Sequence, residues 1–281
     1  MKIAHTIDEV KTLVKEWKKE GLSIGLVPTM GYLHEGHASL IERARKENDK
    51  VIVSDFVNPI QFGPKEDLAT YPRDFEADCK LCESIGADLI FNPEPSEMYE
   101  NNFHSYVGVN TLSEGLCGKS RPIHFNGVCT VVSKLFNISE ADRAYFGQKD
   151  AQQLAIVKRM VRDLNFNIEI IGCPIIREES GLAKSSRNTY LSDEERSKAT
   201  ILHKALEMGK KMIEDGEKDA SKVIDAVKNM IESEPLARVD YVEIVDWNEL
   251  QKVNTIGGPI LMAIAVFFGE KVRLIDNFIM E

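Results

Sequence analysis

Apolar residues recur along this chain in two alternating rhythms. Val10, Leu13, Val14 and Trp17 stand at helical spacing, and Gly21 stops the amphipathic helix they predict. SIGLV at 23–27 is a short apolar run followed by a turn built on Pro28 and Gly31, and it predicts a buried strand. Leu40, Ile41 and Ala44 return to helical spacing after Gly36, and KVIVSDF at 50–56 predicts the next strand. The alternation continues with a helix over 75–85, a strand over 87–91, a helix over 128–136, a strand over 143–146, a helix over 150–164 and a strand over 167–171. This predicts an α/β fold, a parallel sheet covered on both faces. Ligands of such sheets bind beyond the carboxyl ends of the strands, so the informative residues should lie just after strands.

Near Cys173-Pro174 the pattern changes. Helices are expected over 193–215 and 220–232, then close-set strands over 240–245, 260–268 and 272–277. That order predicts a smaller α+β domain. The expected division is 1–175 and 176–281.

Composition narrows the function classes. Of 281 residues, 43% are hydrophobic and 28% charged, an ordinary globular balance. Lys+Arg is 35 and Asp+Glu is 45, a net charge of −10, which disfavours nucleic acid because binding its backbone relies on Lys and Arg. A local basic pocket for a small anion remains compatible with that charge. Five scattered cysteines, 79, 82, 117, 129 and 173, suit a reducing compartment. Cys79 and Cys82 form one C-x-x-C with no second pair to complete a zinc site, and read as helix residues one turn apart. The first 21 residues place acids and lysines where a signal peptide needs an apolar run. The longest apolar stretch, 260–268, is short of the ~20 residues a spanning helix requires. A cytoplasmic protein with no membrane partner is expected.

Three segments carry candidate chemistry. VPTMGYLHEGH at 27–37 follows a strand and opens a helix, so His34 and His37, three apart, can face an anion at the helix N-terminus, with Gly36 allowing close approach. The spacing is not that of a zinc-protease H-E-x-x-H, and Gly31 and Gly36 do not make a dinucleotide-binding glycine pattern. FGQKDAQQ at 146–153 again ends a strand. Lys149 at the head of a helix opposes the dipole unless an anion sits between them, whereas Asp150 reads as an N-cap. LAKSSRN at 182–188 supplies two hydroxyls flanked by Lys184 and Arg187, donors suited to phosphate. SEGLCGKS at 113–120 ends like a Walker loop, but Ser113 replaces its first glycine, and the segment reads as a surface loop. Together the three segments point to nucleoside triphosphate chemistry.

In this order, VPTMGYLHEGH, FVNPIQFG, YPRD, RPIHFNGV, YFGQKDAQQ and LAKSSRNTYL resemble the pantothenate synthetase (pantoate–β-alanine ligase) family, over about residues 1–280. The HxGH element alone marks only the wider nucleotidyltransferase superfamily. The resemblance implies a Rossmann-like domain over 1–175 that binds nucleotide and pantoate, a smaller domain over 176–281 that closes over the ATP site, and a homodimer. It also implies Mg²⁺-dependent attack of pantoate on ATP to give pantoyl adenylate, then attack by β-alanine to release AMP. Met30, Gly31, Tyr32, Leu33, His34, Glu35, Gly36 and His37 would line the ATP site, with His37 as proton donor to the developing charge. Gly147, Gln148, Lys149 and Asp150 would hold ribose and phosphate, with Lys149 neutralising transition-state charge. Ile176 would meet the adenine, and Lys184, Ser185, Ser186 and Arg187 would close over the phosphates. Gln61 and Gln153 would hold pantoate, β-alanine would enter beside Gln61, and Asp78 is the candidate metal ligand. The competing reading is another HxGH nucleotidyltransferase acting on a different small acceptor. Enzymes acting on a phosphate acceptor would want cations where this chain has glutamines.

Overall fold

The computed structural model describes residues 1–64, 66–269 and 272–281. The first part of the chain runs β1 (Lys2–Ala4), α1 (Ile7–Lys19), β2 (Ile24–Thr29), α2 (Glu35–Glu47), β3 (Lys50–Asp55), α3 (Phe75–Ile85) and β4 (Leu89–Phe91). Two single helical turns follow, α4 (Pro95–Met98) and α5 (Cys117–Ser120), and then α6 (His124–Ser139), β5 (Arg143–Gly147), α7 (Ala151–Asp163) and β6 (Glu169–Cys173). The remainder is α8 (Asp193–Lys198), α9 (Ile201–Glu214), α10 (Ala220–Glu232), β7 (Ala237–Asp246), β8 (Ile260–Phe268) and β9 (Val272–Met280). The chain gathers into two compact units. One comprises Met1–Val109, Arg121–Gln148 and Ile156–Pro174, the other Asn110–Ser120, Lys149–Ala155 and Ile175–Glu281.

The first unit is the α/β fold that the alternation predicts. Its six strands lie in the order β1-β4-β3-β2-β5-β6, and every pair is parallel. Ile24, Leu26 and Val27 of β2 and Val51, Ile52 and Val53 of β3 are buried on both faces, as central parallel strands require. From β2 the chain moves outward through β3 to β4, and later returns to lay β5 on the opposite side of β2. The carboxyl ends of β2 and β5 therefore flank a topological switch point, where open α/β sheets bind ligands.

Several boundaries differ from the sequence reading, each for a local reason. Pro28, expected in the turn, lies within β2 opposite Ser54, and the strand ends only at Thr29. The edge strand β1 is too short to show a periodicity, yet it pairs Ile3 with Ile90. α6 starts at His124, four residues before the apolar run, because His124 and Phe125 are buried in its first turn. There His124 Nδ1 lies 3.1 Å from the Gln61 carbonyl oxygen. β6 begins two residues late because Asn165, at φ 54°, turns the chain after α7 while Phe166 packs edge-on against Phe136.

In the second unit β8 is central to an antiparallel sheet, β7-β8-β9, and its inward face packs with α9 and α10 through Leu202, Leu206, Val223, Val227 and Ile264. The single helix expected over 193–215 divides into α8 and α9, since the buried stripe of Leu202, Ala205, Leu206 and Gly209 belongs to α9 alone. β7 starts three residues earlier than expected, and a register shift between Val239 and Tyr241 accommodates the charged Asp240. The 113–120 segment is not a surface loop. Leu116 and Cys117 are buried, and Gln152 ties the segment down by donating to the Leu112 and Gly115 carbonyls and accepting from the Cys117 amide. All five cysteines are free, and burial pushes the thiols of Cys82 and Cys129 up to about 12, far from a reactive thiolate.

α6 lies so close to the 3₁₀ turn Pro59–Gln61 that a Cβ on Gly127 would fall 2.5 Å from Gln61 Cα. Gly127→Ala must force backbone apart, at a cost of ~1–3 kcal/mol. Urea denaturation should show a lower midpoint at unchanged slope, and an unaltered midpoint would show that α6 can retreat freely.

Candidate active site

The turn from β2 into α2 reverses the chain with two successive left-handed residues, Gly31 at φ 76° and Tyr32 at φ 52°. Glycine is required at 31 twice over, since a Cβ there would lie 2.2 Å from Asp55 Oδ1 and 3.2 Å from Asp78 Oδ2. Tyr32 bears the conformational cost of a side chain in that region, and a charge-assisted bond to its amide offsets it. Asp78 Oδ2 accepts from Tyr32 N–H at 2.7 Å and Oδ1 from Leu33 N–H at 2.6 Å. On the other flank Gly31 N–H donates to Thr29 Oγ1, which itself donates to the Ser54 carbonyl.

The two histidines that follow form a reciprocal cap. His34 is the N-cap of α2, and its Nδ1 accepts from Gly36 N–H at 3.0 Å. His37, at the third helical position, returns its Nδ1 to His34 N–H at 3.2 Å. The rings lie 4.2 Å apart between centroids. Both Nδ1 atoms are acceptors, so neither bears a proton while these bonds last, and the neutral proton of each ring resides on Nε2. The helix start thus selects a single tautomer for both rings, with an N–H at the atom remote from the backbone.

Gln61 is buried in the 3₁₀ turn after β3, and its amide is oriented by a chain of bonds. Tyr99 hydroxyl donates to Asn58 Oδ1 at 2.7 Å, which leaves Asn58 Nδ2 to donate to Gln61 Oε1 at 3.0 Å and to the Gly127 carbonyl at 3.1 Å. Gln61 Oε1 is therefore the acceptor, and its Nε2 protons point toward Met30, whose sulfur is 3.0 Å away. Met30, Gln61 and the Gly31–His37 segment all belong to the first unit, as do Gly147 and Gln148 at the end of β5. Tyr32, Glu35, Gly36 and Leu33 are half-buried or exposed along the same segment, and a Cβ on Gly147 would meet nothing within 4 Å.

Asp78 does not fit a metal ligand. Both its oxygens are engaged by backbone amides, and it is 3% exposed. Among the described residues no group of three or more His, Cys, Asp or Glu side chains is assembled for a metal ion. The described residues offer Mg²⁺ no protein cage.

The remaining expected residues lie in the second unit. Lys149 Nζ is 3.8 Å from Asp150 Oδ2, and the Lys149 carbonyl accepts from Asn277 Nδ2 at 2.8 Å. Gln153 is half-buried beside Gln152, the residue that secures 112–117. Residues 176–184 form a tight hairpin closed by Gly181 at φ 90°, in which Lys184 N–H donates to the Ile176 carbonyl at 2.9 Å. The residue expected at the adenine is thereby tethered to the first residue expected at the phosphates. Ser185 caps the 3₁₀ turn Ser186–Tyr190 by accepting from Arg187 N–H. Asn188, buried, braces the turn by donating from Nδ2 to Glu178 and to the Ala183 carbonyl. Glu178 is held below the usual carboxylate range by Arg196 and Asn188 against the opposing effect of its burial.

Asp55, Asn58, Tyr99, Gly127 and Asn188 are the supporting residues that the sequence reading did not single out. Asn58, Gly127 and Asn188 stand within FVNPIQFG, RPIHFNGV and LAKSSRNTYL, so a signal existed for them. Asp55 offered only an acid closing an apolar strand.

Comparison with known proteins gives the arrangement its family. The profile described as pantoate-beta-alanine ligase matches residues 2–279. A pantothenate synthetase of Clostridium botulinum (strain Loch Maree / Type A3) is 63% identical over 278 residues, 99% of each chain. The crystal structure of pantothenate synthetase from Thermus thermophilus matches with a TM-score of 0.94 at 44% identity, covering 99% of both chains. That of pantoate-beta-alanine ligase from Francisella tularensis, complexed with beta-gamma ATP and beta-alanine, matches with a TM-score of 0.80 at 35% identity over 99% of this chain and 97% of the other. Likeness of this extent, end to end in sequence and in fold, means that the chain belongs to the pantoate–β-alanine ligase family.

Proposed function

We propose that this chain condenses pantoate with β-alanine at the expense of ATP, through a pantoyl adenylate. The family match over residues 2–279 carries the reading, and the fixed Nε2–H tautomer of His34 and His37 at a helix N-terminus supports it chemically. A carboxylate resists attack by an amine because oxide is a poor leaving group. A pantoate carboxylate oxygen therefore first attacks the α-phosphorus of ATP, and the bond to pyrophosphate breaks. The amine nitrogen of β-alanine then attacks the activated carbonyl carbon, loses a proton, and displaces AMP.

The first step moves negative charge onto the leaving phosphates, so positioned donors are what the protein must supply. His34 and His37 donate from Nε2 to the phosphates, with His37 nearest the developing charge, and the first amides of α2 add the favourable end of the helix dipole. The capping bonds make His37 a neutral hydrogen-bond donor, a narrower role than transfer of a whole proton. Lys149 neutralises charge, Gly147, Gln148 and Asp150 bind ribose and phosphate, Ile176 meets the adenine, and Lys184, Ser185, Ser186 and Arg187 contact the phosphates. Gln61 presents its amide protons to pantoate, in keeping with the orientation Asn58 imposes, and Gln153 completes that subsite. Mg²⁺ would come with ATP rather than be held by this chain's side chains, and would offset charge on the phosphates. A cytoplasmic homodimer is part of the same reading. The five free cysteines suit a reducing compartment, and light scattering reads the oligomer.

Incubation with ATP, Mg²⁺ and pantoate should release pyrophosphate only when pantoate is present. Adding β-alanine should yield AMP and no ADP, and pantoate-independent release would sink the assignment. His37→Ala should slow single-turnover adenylate formation by at least ~100-fold, the usual scale for a lost charge stabiliser. Near-normal adenylation in that variant would remove His37 from the chemistry. Gln153→Ala should raise the KM for pantoate while leaving ATP affinity largely intact. Equal weakening of both ligands would point to a folding defect.

A further inference from the structure

Asp55 ends β3 and Asp78 lies on α3, and both are buried, at 6% and 3% exposure. Their carboxyl groups face each other across Gly31, whose Cβ position would lie 2.2 Å from Asp55 Oδ1 and 3.2 Å from Asp78 Oδ2, and a buried pair so close is relieved when one of the two carries a proton. Asp78 is the one that must stay ionised, because both its oxygens accept backbone N–H bonds from the β2–α2 turn. Asp55 has no such support. Its Oδ2 finds no hydrogen-bond donor among the described residues, so a negative charge there would be buried and unmet. Asp74 at the head of α3 and the thiols of Cys79 and Cys82 further along it are set around the pair, and none of the three is a cation. The turn itself contributes the Tyr32 and Leu33 amides, already claimed by Asp78, and the crowded Gly31, whose Cβ position nearly touches Asp55.

We propose that Asp55 is a positioning residue: protonated, it donates to Asp78 and holds that carboxylate on the Tyr32 and Leu33 amides, and its ionisation loosens the turn that carries His34 and His37. Burial first, and the charge of Asp78 second, push Asp55 up to about 7. Burial also raises Asp78, against the opposing pull of the Leu33 and Tyr32 amides. The folded-state value of Asp55 lies above its unfolded value of 3.8, so the stabilisation is complete below about pH 4 and is lost as pH rises through about 7. Above that, two adjoining carboxylates repel each other beneath the turn.

Asp55→Asn supplies an amide donor to Asp78 and cannot ionise, whereas Asp55→Ala removes the donor as well. Hydrogen exchange of the peptide containing Tyr32 and Leu33, corrected for the intrinsic pH dependence of exchange, reads the turn without any ligand. In the parent chain protection should fall between pH 6 and pH 8 by up to about tenfold, the ratio of protonated fractions for a group near 7. Asp55→Asn should hold the protection of pH 6 at both values, and Asp55→Ala should be poorly protected at both. A parent profile that stays flat, or one that Asp55→Asn shares with the parent, overturns the proposal, and so does Asp55→Ala behaving like Asp55→Asn.

The consequence for the reaction rests on the function proposed above. The dissociation constant for ATP should rise with the same pH dependence in the parent and not in Asp55→Asn. If the turn loosens while ATP affinity stays level in both, Asp55 is structural and the positioning role is overturned. If the parent binds no ATP at pH 6, the proposed function fails, and hydrogen exchange still decides the pairing.

Discussion

Two amide hydrogens that the β2–α2 turn cannot satisfy within itself govern the geometry of this protein's first unit. Gly31 and Tyr32, both left-handed, aim successive N–H groups into one concavity, the kind of backbone nest that binds an anion. Here the anion is internal. Asp78 reaches across from α3 and takes the amides of Tyr32 and Leu33, so the packing of a helix two elements further along the chain sets the shape of the loop. The strain of a tyrosine at φ 52° is held by that bond on one side and by Thr29, itself tied to Ser54 of β3, on the other. Without both anchors the histidines would have no fixed point from which to cap α2.

The same logic recurs at each expected ligand contact. A side chain expected to meet substrate is oriented by one that is not. Tyr99 and Asn58 orient the Gln61 amide, Gln152 secures the segment at 112–117, and Asn188 braces the turn that begins at Ser185. Each bracing group is buried or nearly so, where a hydrogen bond is costly to lose and therefore geometrically decisive. Under the proposed function the ligands differ in charge, a triphosphate and two small acids, and the residues assigned to them differ in chemistry: imidazole N–H, lysine and arginine for one, neutral amides for another.

Much of this was legible in the chain, and what was not has a common cause. Long apolar runs such as KVIVSDF and ILMAIAVFF declare buried strands because period and composition agree, and the histidine pair declared itself by following a shorter one, SIGLV. The edge strand β1, the polar first turn of α6 and the burial of Cys117 stayed hidden because each depends on partners distant in sequence: β4, the Gln61 carbonyl and Gln152. Asp78 shows the limit most clearly. The family resemblance offers this aspartate as a metal ligand, and only the direction of the Tyr32 and Leu33 amides reveals that it serves the backbone.

The imidazoles of His34 and His37 each face two ways, one nitrogen fastened to the start of a helix and the other bearing the proton. Secondary structure and chemistry are thus joined through a single aromatic ring, with only a ring carbon between the nitrogen that holds the backbone and the nitrogen that donates. A residue that merely capped the helix would leave the donor missing, and one that merely donated would leave the helix frayed. Few side chains have two nitrogens on a rigid plane with which to do both, and under the proposed function that double demand falls on the histidine at each end of this short motif.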